Sequence, residues 1–69
     1  MKYIVSNRHN DKTSSHRSLI AAKKAAEKIF QCSLFETHRD ICESLRLNDS
    51  VTVTPILCFD DCVFIDRIN

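Results

Sequence analysis

The chain contains no glycine and no tryptophan, and its single proline is Pro55. Without glycine, the phosphate-cradling loops, dinucleotide fingerprints and nucleophile elbows that require positive φ or close backbone approach are excluded. Turns fall instead to asparagine and aspartate, the residues that next best tolerate left-handed backbone. The candidates are Asn7, Asn10-Asp11, Asn48-Asp49 and Asp60-Asp61. Long apolar runs are missing too, since nothing approaches the ~20 residues that span a bilayer. The opening stretch, Met1 to Asn7, turns polar too early for a secretory signal. These absences predict a cytoplasmic protein with no membrane contact. In a reducing compartment Cys32, Cys42, Cys58 and Cys62 read as free thiols or metal ligands rather than as two disulfides.

With 69 residues, the chain has room for one domain, 1–69. A domain of that size hides only about 60% of its unfolded surface, so small folds of this kind often recruit a metal, a disulfide or a partner chain. Hydrophobic content of 43% with 28% charge places it among globular rather than disordered chains.

Lys2 to Ser6 reads as a strand, with Tyr3 and Val5 on one face and Ile4 on the other. Asn7 to Arg17 has no apolar residue and is expected to be a solvated loop. Ser18 is a suitable N-cap for a helix from Leu19 to about Gln31, a segment rich in strong helix formers. Leu19, Ala22, Ala26, Ile29 and Phe30 recur at three- and four-residue spacing and form its buried stripe. Lys23, Lys24 and Lys28 then face water. A second helix starts after Thr37, which can cap the amide of Asp40. Asp40 and Glu43 suit the positive end of that helix, Ile41, Cys42 and Leu45 form its apolar side, and Asn48-Asp49 stops it. Ser33 to Glu36 is either a helical continuation or the bend between helices. Val51 to Phe59 and Cys62 to Ile68 read as strands, with Asp60-Asp61 as a hairpin turn. Pro55 cannot donate to a ladder and moves its strand to an edge or a bulge. The expected fold is therefore α+β, strand-helix-helix-strand-strand. Its three-stranded sheet is mixed, the first strand lies parallel to the central last one, and both helices cover one face.

A net charge of +1 conceals an uneven distribution. Residues 1–31 carry seven basic groups against two acidic, while 32–69 carry three against seven. Such asymmetry points to a nucleic acid or a charged protein surface. The basic set is Arg8, Lys12, Arg17, Lys23, Lys24 and Lys28; small polar donors such as Asn7, Asn10, Ser14 and Ser15 would add to phosphate contacts. The same lysines also suit a merely solvated helix face. A sequence pI near 7.7 and the absence of aromatic residues from this region argue against a nucleic-acid binder. The acidic alternative is Asp40, Glu43, Asp49, Asp60, Asp61 and Asp66, which would meet a basic groove or imitate phosphate spacing.

His38 and Cys42 lie four apart on the second helix, and Cys58 and Cys62 flank the turn, a spacing that tetrahedral zinc accepts. Against a zinc site stand the glycine-free turn and the tendency of cysteine to behave as a small buried hydrophobe. Enzymatic activity is not expected. His38 and Cys42 lack an orienting third group, Asp60 and Asp61 point apart, and Ser14, Ser15 and His16 fall in the loop. Small-molecule sites occupy ~300 Å³ or more, which a chain of this size rarely encloses.

The expectation that remains is a cofactor-free binding protein that occupies a macromolecular partner, a protein or ribonucleoprotein complex, through a charged surface. A small nucleic-acid-binding regulator and a zinc-stabilised interaction domain are the alternatives. An exposed edge strand also offers a ladder to a second copy, as in a homodimer. In size and character alone the chain resembles the compact inhibitors of host machinery made by phages and mobile elements, anti-CRISPR proteins included. No motif carries that resemblance, and it assigns no residue a role.

Overall fold

In the computed structural model, residues 1–7, 12–57 and 61–68 are described. Among them the elements run β1 (Lys2–Asn7), β2 (Thr13–His16), α1 (Leu19–Phe30), α2 (His38–Leu47), β3 (Ser50–Val53) and β4 (Val63–Ile68). The strands form one four-stranded sheet in the order β2-β1-β4-β3, and every neighbouring pair is antiparallel. The α+β class is as expected, but the three-stranded mixed sheet is not.

One strand accounts for both differences. Thr13–His16 lies in the segment expected to be loop, yet it pairs with β1 from Tyr3↔His16 to Ser6↔Thr13. It sits at the sheet edge, where one backbone ladder suffices and its Thr and Ser side chains stay exposed. Apolar content was therefore the wrong criterion for it. The added reversal turns the chain around before α1, so β1 and β4 meet antiparallel, with Val5 opposite Ile65. The position of β4 between β1 and β3 agrees with the expectation drawn from Pro55.

Side chains alternate across the sheet. In register, Val5, Val51 and Ile65 share the face that also carries Val53 and Val63. That face joins Leu19, Ala22, Ala26, Leu34, Ile41 and Leu45 in one buried cluster. Both helices therefore cover the same side, α1 against β1 and β2 and α2 against β3. The expected helical stripe is buried at Leu19, Ala22 and Ala26, whereas Phe30 is half-buried and Ile29 is exposed. Ile4, Ser6, Phe64 and Asp66 fall on the opposite, uncovered face.

The helix ends follow the sequence closely. The Ser18 hydroxyl accepts from the amide of Ala21 at 3.2 Å, and Thr37 and Asp40 form a reciprocal capping box. At the end of α1, the Cys32 N–H donates to Glu27 O and the Gln31 N–H to Lys28 O. That bond pattern is a Schellman motif, with Gln31 in the left-handed region at φ 53°. Among the described residues Gln31 is the positive-φ position, so this turn falls to glutamine rather than to an asparagine or aspartate.

The expected strand from Val51 to Phe59 is shorter, ending at Val53, and the last strand begins at Val63 rather than Cys62. Beyond Val53 the chain changes partner. The Phe35 N–H donates to Thr54 O at 2.8 Å and the Ile56 N–H to Ser33 O at 3.0 Å, framing a bridge between Leu34 and Pro55. Ser33 to Glu36 is thus the bend between the helices, docked on the end of β3. The ladder between β3 and β4 closes at Val53↔Val63, so no tight two-residue hairpin joins them. Residue Asp60 of the expected turn lies outside the described residues.

Candidate binding surface

With Leu19, Ala22 and Ala26 facing the sheet, the helical repeat places Ile20, Lys24 and Lys28 on the opposite ridge of α1, with Arg17 leading into it. All four are exposed, Ile20 at 59%. Residues four apart stand about 6 Å along the axis, so the ridge is a row of cations with one isoleucine set among them. Lys28 also lies in the last turn, where the helix dipole favours a positive charge. Lys23 lies to the side of this row, half-buried and 3.7 Å from Glu27. A shallow depression of about 260 Å³ runs along that flank, lined by Ile20, Lys23, Lys24, Glu27 and His38. Lys12 is exposed near the start of β2, and Arg8 lies outside the described residues. Of the expected basic set, the helical repeat brings Lys24 and Lys28 onto one ridge, while Arg17 is exposed just before the N-cap.

The acidic set is not gathered in this way. The carboxylate of Asp40 accepts from the backbone N–H of Thr37 at 3.1 Å, while the Asp40 N–H donates to Thr37 Oγ1 at 3.1 Å. Hydrogen bonding to Thr37, its backbone N–H first and its hydroxyl second, holds the Asp40 carboxyl below the ordinary value of 3.8. Glu43 pairs with Arg39 at 3.7 Å, and Asp49 with Arg67 at 3.2 Å. Asp66 is on the uncovered sheet face, away from the helices that carry Asp40 and Glu43. Asp61 is half-buried, and Asp60 is outside the described residues.

For the expected metal ligands, the helix does bring His38 Nε2 and Cys42 Sγ to 3.5 Å. Cys62 is a half-buried free thiol just before β4, and Cys58 lies outside the described residues. Among the described residues no three His, Cys, Asp or Glu side chains converge.

Ser14 and His16, expected in a loop with nothing to fix them, are held by β2. Their Oγ and Nε2 lie 2.8 Å apart. A cavity of about 220 Å³ lies beside Ser14, lined by Val5, Asn7, Lys12, Thr13, Ser14 and Ile29.

Two apolar features were not foreseen from sequence. Phe35 is 68% exposed and Leu57 77%, both beside the Leu34–Pro55 bridge. Ile20 interrupts the cationic ridge. Its exposure follows from its angular position opposite Ala22, a signal available from the helical repeat. Among the described residues, no helix is long and apolar enough to cross a membrane. Comparison with protein-family models, with curated proteins and with solved structures found no match.

Proposed function

We propose that this chain is a non-enzymatic binding module that docks on an acidic protein surface through the outer ridge of α1. The arrangement of Ile20, Lys24 and Lys28 supports this reading, because it sets an exposed apolar anchor beside two cations on one helix, with Arg17 exposed just ahead of its N-cap. Protein interfaces commonly combine such an anchor with a charged rim. A phosphate backbone has use for the cations but none for the isoleucine. The acidic alternative is less favoured, since Asp40, Glu43 and Asp49 are already engaged within the chain.

A binder of this kind acts by occupying its partner, as an inhibitor of larger machinery does. The test is affinity capture from nuclease-treated lysate, comparing the native chain with Lys24→Glu/Lys28→Glu. The expected result is one acidic protein retained by the native chain and lost with the double variant. Retention that survives the charge reversal would rule out the ridge. Capture found only in lysate left without nuclease would replace it with the nucleic-acid reading.

A further inference from the structure

We propose that β2 is a docking edge for an extended acidic segment of a partner protein, which adds to the sheet as a further strand. This edge is distinct from the outer ridge of α1, which faces away from the sheet. β2 ends the strand order, and among the described residues no strand lies beyond it. Its pairing with β1 runs without a bulge from Tyr3↔His16 to Ser6↔Thr13. Alternate residues of an antiparallel edge strand turn N–H and C=O away from their partner. The group that answers such a row is another extended backbone. Thr13, Ser14 and Ser15 are exposed, so the ladder is open to an incoming strand. The other edge of the sheet is different, because past Val53 the chain is taken up by the bridge of Pro55 to Leu34.

Side chains and charge select the segment. On the helix-covered side Val5 stands opposite Ser14, and with Ile29 of α1 they border the cavity of about 220 Å³. A strand laid along β2 directs the residue beside Ser14 to that same side. One apolar side chain of the segment thus enters the cavity next to Ile29, which is 41% exposed. Lys12 and Arg17, both exposed, bracket the strand, and positions 12–17 contain no acid. Acidic residues at both ends of the segment complement them. The same charges disfavour a second copy of this chain as the occupant. Antiparallel self-pairing centred between Ser14 and Ser15 would set Lys12 against the partner copy's Arg17 at both ends, and like charges directly opposite destabilise a ladder.

Titration of the full chain with the blocked hexapeptide acetyl-Glu-Thr-Val-Leu-Thr-Glu-amide, followed by backbone NMR, tests this. In antiparallel register its leucine falls beside Ser14 and its glutamates beside Arg17 and Lys12. The expected result is amide shifts at Thr13–His16 and Ile29, with slowed hydrogen exchange at alternate residues of β2. N-methylation of one alternate set of peptide amides should weaken binding more than about tenfold, and methylation of the other set should leave it within about twofold. Ile29→Ala should weaken it more than about threefold, as should exchanging both glutamates for lysine. No shifts at millimolar peptide, shifts centred on the outer ridge of α1 or on β3, or equal loss with both methylated sets would each overturn the proposal. So would unchanged affinity in Ile29→Ala, or a dimer of the free chain that protects the same amides.

Discussion

Leu34 and Pro55 lie directly opposite one another in an antiparallel bridge whose two hydrogen bonds are made by their neighbours. At such a non-hydrogen-bonded position no N–H is asked of the proline, so Pro55, two residues beyond the end of β3, still takes part in pairing. Both side chains are buried, and the inter-helix bend is thereby fastened to the sheet edge. The Glu36 carboxylate adds a bond from the Thr54 N–H at 2.7 Å.

Leu34→Ala should consequently cost about 2–4 kcal/mol, through lost burial and the cavity left behind. Its neighbour Phe35, which points to solvent, should change stability by no more than about 0.5 kcal/mol when replaced by alanine. Urea denaturation of the two variants side by side measures the difference.

Gln31 makes a contrasting case. A left-handed conformation costs a residue with a Cβ roughly 1–2 kcal/mol, and glycine gives back about 0.5–1 kcal/mol of that through its freer unfolded chain. Gln31→Gly should therefore stabilise the protein by about 0.5–1 kcal/mol. The expected signature is a higher denaturation midpoint with an unchanged slope, since the surface exposed on unfolding stays the same.

The capping box of α2 yields both a mutation and a pH prediction. Thr37→Ala should cost about 0.5–2 kcal/mol, because the Asp40 amide loses its acceptor. Asp40 itself has a folded-state pKa below its ordinary value of 3.8. A carboxyl lowered on folding contributes stability that is complete above its unfolded pKa and lost as the pH falls through the folded one. Acidification below about pH 4 should therefore loosen α2, and Asp40→Asn should show a smaller share of that acid loss. Helicity followed by circular dichroism between pH 6 and pH 2 measures it.

What the sequence made legible divides along physical lines. Local signals held where local chemistry decides: Ser18 and Thr37 cap the helices as their hydroxyls suggest, and Leu19, Ala22, Ala26, Ile41 and Leu45 face the core. Pro55 correctly displaced β3 to an edge. Thr13–His16 was hidden because a polar edge strand is held by backbone pairing and buries little side chain; the candidate turn residues Asn10-Asp11 that precede it lie outside the described residues. Missing it inverted the expected direction of β1 relative to β4. The break at Val53 was obscured because Leu34, which draws Pro55 away, is distant in sequence. The lysines of the ridge were identifiable, and the helical repeat also places Ile20 beside them. The pairing of Asp49 with Arg67 was not legible, because the fold brings together residues 18 apart in sequence.

Photocrosslinking from single positions tests most directly the proposed presentation of the contact surface by α1. A photoreactive residue at position 20 should join covalently to one acidic protein, while the same residue at Glu43 of α2 or at Thr52 on the uncovered sheet face should not. Crosslinks confined to position 43 or 52, or to nucleic acid, would contradict it.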